Sequence, residues 1–249
     1  MSAALLEAEN LVRRFGGLAA VDDVSLRLRR GCLHAVIGPN GAGKSTLVNL
    51  LSGALAPSSG RLLIGGADAT GWPAWRVARA GVGRSFQRTN VLGAMTVLEN
   101  ARLAAQVGST PVSRLWRSAR REAAPVQRAE AALARVGLAE FSLRRAEILS
   151  HGQLRQLEIA MVLATEPHVL LLDEPLAGMG PEEAERIAAL LRELADDHAV
   201  LLIEHDMDVV FAVADQVTVM VDGRVLEEGT PAQIRASAAV QDAYLGHAA

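Results

Sequence analysis

Apolar residues along the 249-residue chain fall into two rhythms. The first is the short unbroken run: "LHAVIG" (33–38), "HVLLLDEP" (168–175) and "VLLIEHDM" (200–207). Such runs read as strands buried on both faces of a parallel sheet. The second is helical spacing. "STLVNLLSG" (45–53) puts Leu47, Leu50 and Leu51 on one face with Gly53 as a stop, and Leu154, Leu157, Ile159 and Met161 form a similar stripe later. Between them, from 88 to 162, the texture turns helical. Thr96 and Glu99 stand at capping-box spacing ahead of Leu98, Ala101, Leu103 and Ala105. "SRLWRSARREAAPVQRAEAALARVGL" is rich in Ala and Arg and poor in β-branched residues, which predicts helix interrupted near Pro125 and ending at Gly137. Farther on, "VTVMVDGRVLEEGT" reads as a hairpin about Asp222-Gly223, and Thr230, Pro231 and Gln233 open a last helix. The pattern predicts one discontinuous unit of two lobes: an alternating α/β core from 1–87 and 163–249, and a helical subdomain from 88–162.

Composition narrows the function classes. Half the residues are hydrophobic, enough for one sizeable core, and the net charge of −3 without a basic stripe argues against a nucleic-acid partner. The "RLWRSARRE" cluster (114–122) reads as a solvated helix face. The single cysteine, Cys32, cannot form an internal disulfide and reads as a small packing residue, with the cytosol as the natural compartment. No signal peptide is evident, and no apolar run approaches the roughly 20 residues of a spanning helix, so a membrane role is expected to run through a partner.

One basic residue breaks an otherwise uniform habit. The chain uses arginine throughout except at Lys44, its sole lysine, inside "GPNGAGKST" (38–46). Gly38, Gly43, Lys44 and Ser45 fit the phosphate-binding pattern G-x-x-x-x-G-K-[ST], between a predicted strand and a predicted helix. Glycines let backbone N–H groups turn inward, and the helix N-terminus adds positive potential. Gly38, Pro39, Asn40, Gly41, Ala42, Gly43, Lys44, Ser45 and Thr46 are therefore candidate contacts to a nucleoside triphosphate. A compact ammonium fits between β- and γ-phosphates where a forked guanidinium does not. Ser45 is the candidate hydroxyl for Mg²⁺.

The run 168–175 ends in two carboxylates. Asp173 is the expected second-shell or water-mediated Mg²⁺ partner. Strand alternation would send Glu174 elsewhere, where it suits a general base for water beside the γ-phosphate, and Pro175 is expected to stop the strand. A GTPase would need a second lysine in its guanine-reading motif, and there is none.

Directly before that strand, Ser150, Gly152 and Gln153 open a helix, making a second anion-binding tip. One nucleotide does not need two tips from one chain, so this one is expected to close on a nucleotide held by another subunit. "LSHGQ" (149–153) resembles the "LSGGQ" signature of ATP-binding cassette proteins, in the right order before the acidic strand. The resemblance covers nearly the whole chain. It implies a RecA-like P-loop NTPase core with an N-terminal antiparallel β portion and an inserted α-helical subdomain. It also implies roles: Phe15 stacking on adenine, Gln87 linking nucleotide, metal and membrane partner, and His205 contacting the γ-phosphate and orienting the water of Glu174. His34, inside the strand before the loop, reads as structural.

"LEIA", "RSFQRTNVLGAMTVLEN", "DEPLAGMGPEE" and the last stretch "EEGTPAQIRASAAVQDAYLG" are similar to the cassettes of branched-chain amino-acid importers, in particular the longer of the two in such systems. That resemblance implies an ATPase peripheral to the cytoplasmic face of the inner membrane. Its expected partners are a second cassette head to tail, two permease subunits and a solute-binding protein. Importers of urea and short-chain amides are the nearest alternative. A soluble non-transport cassette usually carries two cassettes in one chain or a coiled-coil or zinc insertion, and a small-molecule kinase would act alone. Two positions depart from the family: His151 replaces a glycine of the signature, and Gly180 stands where most cassettes carry aspartate.

Overall fold

The computed structural model describes residues 4–85, 90–107 and 123–245. The expectations for Gln87 and for the 114–122 cluster fall outside these residues.

Two sheets form the frame. Strands β1 (Ala4–Phe15) and β2 (Leu18–Arg29) make a long antiparallel hairpin, extended by β4 (Ser59–Ile64) and β5 (Ala67–Asp68) in the order β2-β1-β4-β5. The second sheet has six strands in the order β10-β9-β3-β8-β7-β6. Its members are β3 (Cys32–Ile37), β6 (Val82–Arg84), β7 (Val169–Asp173), β8 (Ala199–Ile203), β9 (Gln216–Val221) and β10 (Arg224–Gly229). All neighbouring pairs are parallel except β9–β10, which closes as a hairpin. Asp222 and Gly223 both have positive φ there, as a tight two-residue turn with right-handed strand twist requires.

The apolar runs become β3, β7 and β8, and the reason is visible in their burial. Leu170, Leu172, Val200 and Leu202 face one hydrophobic cluster, while Val169, Leu171, Ala199, Leu201 and Ile203 face another. A strand clamped between two apolar layers has no polar face to alternate with. Helix α1 (Lys44–Leu51) and the antiparallel sheet supply the second layer. The first layer comes from α6 (Pro181–Asp197) and from three helices of the middle of the chain: α3 (Val97–Ala105), α4 (Ala123–Arg135) and α5 (His151–Leu163).

Local signals placed the helix ends. Thr96 and Glu99 form the capping box of α3, and Thr230 and Gln233 that of α8 (Pro231–Ala236). Pro125 lies in the first turn of α4 as described, where its missing N–H costs nothing. Short helices α2 (Ala74–Arg79) and α7 (Met207–Val213) flank the sheet, and α9 (Ala238–Leu245) ends the described chain. Among the described residues no helix is long and apolar enough to cross a membrane.

Candidate functional site

The chemistry gathers where β3, β8 and β7, consecutive in the sheet, reach their C-terminal ends. This is the side on which open parallel sheets bind ligands. Residues 38–46 leave β3 there and enter α1. Gly43 is the N-cap of α1 in a left-handed conformation (φ 98°), and a Cβ on it would lie 2.3 Å from the Ala20 carbonyl oxygen. Only glycine fits both constraints. The loop is also tied from behind: Gly223 N–H donates to the Ala42 carbonyl at 3.1 Å, and Asp22 N–H to the Gly223 carbonyl at 2.8 Å. The β9–β10 turn and β2 thus hold the nest in shape.

The Lys44 ammonium donates to the Gly38 and Pro39 carbonyls at 2.6 and 3.0 Å. Burial pulls its pKa down, while Glu174 and Asp173 pull it back up. The lysine therefore shares one electrostatic neighbourhood with both predicted carboxylates.

Asp173 is the last residue of β7 and is 2% exposed. Its Oδ2 lies 3.6 Å from Arg84 Nη2, and its Oδ1 is buried with no hydrogen-bond partner. Burial pushes the carboxyl up; Arg84 opposes that, Glu174 adds to it and Lys44 opposes it. Strand alternation is not what separates Glu174 from Asp173. The strand ends at Asp173, and Glu174 has φ 48°, so a left-handed turn rather than Pro175 breaks the strand and redirects the next carboxylate. That turn is held by Glu174 N–H donating to the Ile203 carbonyl on β8 at 2.9 Å.

His205 follows β8, with its side chain 67% exposed and Nδ1 3.7 Å from Glu204 Oε2. Glu204 itself is 1% exposed. Its Oε1 accepts from Leu176 N–H at 2.9 Å and its Oε2 from His205 N–H at 3.3 Å. Burial pushes its carboxyl up against the pull of those two amides.

Ser150 is the N-cap of α5: its Oγ accepts from Gln153 N–H at 3.2 Å, and Gln153 Oε1 accepts from Ser150 N–H at 2.9 Å. Ser150 and His151 are exposed and Gly152 is buried against the Glu183 carboxylate, which a Cβ would meet at 2.8 Å. Among the described residues no hydrogen bond or ion pair joins this tip to residues 38–46. Phe15 ends β1 with 46% of its surface exposed and the Arg13 guanidinium 4.7 Å from its ring centre, so it is an available aromatic face and not core filling. His34 proves structural: it is 3% exposed, its Nε2 lies 2.7 Å from Thr218 Oγ1, and burial lowers its pKa to about 4.

The family described as ABC transporter matches residues 21–177, well over half of the chain. This chain belongs to the ABC transporter family. A second family, described as branched-chain amino acid ATP-binding cassette transporter, matches residues 224–249 of the cassette. Two relatives are 41% identical to it over the whole of both chains: the high-affinity branched-chain amino acid transport ATP-binding proteins BraF of Pseudomonas aeruginosa and LivG of Escherichia coli K12. Among solved structures, an ATP-binding cassette of an ABC transporter in its ADP conformation superposes with a TM-score of 0.88 at 33% identity, over 98% of this chain and 100% of that one. A dimeric cassette in a post-hydrolysis state, bound to ADP and Pi, gives 0.76 at 25% identity over 91% and 98%.

Two residues of the cassette site escaped the sequence. Arg84 ends β6 and reaches under α1, donating through Nη1 to Asn49 Oδ1 at 2.7 Å and Ser52 Oγ at 2.9 Å, besides facing Asp173. Glu204 ends an apolar run as Asp173 does, but nothing in that run says that the charge will be buried, and Arg84 follows only Val82 and Gly83 in its strand. The two family departures land at exposed helix starts: His151 is the first residue of α5 and lies near Gly178 in the loop after β7, and Gly180 is the N-cap of α6, followed by Pro181 and the acids Glu182 and Glu183.

An apolar groove of about 290 Å³ runs between the α2–β6 edge and helices α3 and α5, lined by Ala74, Ala78, Val82, Val107 and Met161. Ser85 also lines it, just before Gln87 in the chain.

Proposed function

We propose that this chain is the ATP-hydrolysing subunit of an importer for branched-chain amino acids. The observation that carries the ATPase reading is the convergence of the Lys44 loop, Asp173, Glu174 and His205 at three adjacent strand ends, with the Ser150 tip apart from them. The solute class rests on the full-length likeness to BraF and LivG and on the C-terminal match at 224–249.

In this reading the loop 38–46 wraps the phosphates, with Thr46 and the backbone amides of Asn40 to Ser45 around them. Phe15 stacks on the adenine. Lys44 exchanges its two carbonyl partners for phosphate oxygens and neutralises charge that develops on the γ-phosphoryl group. Ser45, Asp173 and Gln87 would hold Mg²⁺, which offsets phosphate charge when bound; the partnerless buried Oδ1 of Asp173 fits a water or ion on that side. Glu174 takes or orients the proton of the attacking water, and His205 faces the terminal phosphate beside it.

Ser150, Gly152 and Gln153 complete the site of a second cassette, identical or related, bound head to tail. Hydrolysis weakens that grip and the pair opens. The helical subdomain (88–162), moving against the core (1–87 and 163–249), passes the motion to two permease subunits through the apolar groove that Ser85 and Asn90 help to line. A binding protein outside the membrane delivers the solute, and the cassettes sit peripherally on the cytoplasmic face.

One experiment tests this. Glu174→Gln is expected to bind MgATP, hydrolyse it about 100- to 10,000-fold more slowly, and accumulate as an ATP-dependent dimer on a sizing column. Adding Ser150→Arg is expected to dissolve that dimer with nucleotide binding intact. Normal turnover in the first variant, or a surviving dimer in the second, refutes the assignment.

A further inference from the structure

The two loops that carry the proposed hydrolytic groups are tied together by one side chain. Glu174 sits on the loop after β7 and His205 on the loop after β8. Glu204 lies between them, buried to 1% exposure. One of its carboxylate oxygens accepts the Leu176 N–H from the first loop at 2.9 Å. The other accepts the His205 N–H from the second at 3.3 Å and lies 3.7 Å from the His205 Nδ1. The Glu174 amide reaches back to Ile203, the residue before Glu204, at 2.9 Å.

Each oxygen is committed to a different loop, so no uncharged side chain of this size does the same work. An apolar replacement would strand the Leu176 amide in a buried place, and an amide would present a donor where the His205 N–H needs an acceptor. The imidazole, meanwhile, turns its Nδ1 edge to the carboxylate, leaving Nε2 for a ligand.

We propose that Glu204 is a positioning residue for hydrolysis: it sets the His205 loop against the Glu174 loop so that carboxylate and imidazole meet the terminal phosphate and its water as a pair. This rests on the roles proposed above for Glu174 and His205. It adds a contact to neither nucleotide nor metal, and so it predicts a defect in turnover without one in binding.

The test is the steady-state ATPase of the full chain with MgATP, in Glu204→Gln, His205→Ala, Glu174→Gln and the Glu204→Gln/His205→Ala double variant, with ATP affinity measured by calorimetry. Glu204→Gln is nearly isosteric and keeps the Leu176 bond. It is expected to lower kcat by about 10- to 100-fold, the usual consequence of a misplacement near 1 Å, with KM and affinity within about twofold of the parent. In the His205→Ala background the same change is expected to cost less than about threefold more, because its main route of action is already gone. Full multiplication in the double variant, an unchanged kcat in the single, or a raised KM with kcat intact overturns the proposal. Should the Gln variant not fold, Glu204→Asp keeps both acceptors on a shorter stem and is read by the same kcat-to-KM criterion. Intact turnover in His205→Ala and Glu174→Gln overturns the underlying site instead, whatever Glu204 does.

Discussion

Arg84 gives the sharpest test of how the site is built. Its side chain is 11% exposed and that of Asp173 is 3% exposed, with 3.6 Å between Nη2 and Oδ2. At that separation two unit charges attract by about 4 to 5 kcal/mol if the effective dielectric constant is near 20. Breaking a buried pair by removing one partner typically costs about 3 to 5 kcal/mol, because the survivor keeps its desolvation penalty. The two figures agree, and the hydrogen bonds to Asn49 and Ser52 add to the loss. Arg84→Gln should therefore destabilise the nucleotide-free chain by about 3 to 5 kcal/mol. For a domain of this size that is a fall in Tm of roughly 6 to 20 °C.

The assay is thermal and urea unfolding by circular dichroism on Arg84→Gln, Asp173→Asn and the double variant. Each single change leaves a buried charge without its counterpart, whereas the double leaves none. The double variant should therefore lose clearly less than the sum of the singles. A Tm within about 2 °C of the parent for Arg84→Gln, or strict additivity, would show that solvent screens Asp173 and that the pair does not hold α1, β6 and β7 together.

Two other consequences are expected. Gly43→Ala must place its Cβ 2.3 Å from the Ala20 carbonyl at φ 98°, so backbone has to move, and the left-handed conformation adds about 1 to 2 kcal/mol; MgATP affinity should drop more than about tenfold by fluorescence titration, and parental affinity would refute the packing argument. His34 has a folded pKa of about 4, below the usual 6.5 of the unfolded chain, so the unfolded state takes up the proton first as pH falls. Its contribution is complete above pH 6.5 and is lost on acidification towards pH 4, about 2 kcal/mol between pH 7 and 5. His34→Asn should flatten the pH dependence of urea stability by that amount relative to the parent, and equal slopes in both proteins would reject it.

What could be read from the sequence was whatever is encoded locally. The strand before the phosphate loop, the capping boxes at Thr96 and Thr230 and the turn at Asp222-Gly223 each follow from neighbours within a few residues, and each is in the structure. The phosphate loop was legible for the same reason, since its spacing is its mechanism. Arg84 and Glu204 were not, because nothing short-range says that a charge at a strand end will be buried. Their partners Asp173 and Leu176 are brought to them by the order β3-β8-β7-β6, which no local pattern states. Glu174 shows the intermediate case: its separation from Asp173 was expected, but the cause is a left-handed residue that a strand pattern cannot announce.

That strand order also bears on the proposal that the site is shared between two chains. Residues that leave β3, β8 and β7 at the same end necessarily meet, because neighbouring parallel strands bring their C-terminal ends side by side. The loop of Lys44, the acids at 173–174 and the pair at 204–205 share one end of the sheet as a matter of topology. Ser150 does not leave a strand of that sheet. It caps α5, which packs on α3, α4 and β6 and touches Glu183 of α6 and Gly178 of the loop after β7, and among the described residues no hydrogen bond joins it to the phosphate loop. The tip carries a reciprocal capping box, and its Ser150 and His151 are exposed. If the site is completed by a second copy or relative, as proposed, turnover of the purified chain should rise faster than in proportion to its concentration until the dimer is saturated. A specific activity that stays constant on dilution through the micromolar range would contradict that arrangement.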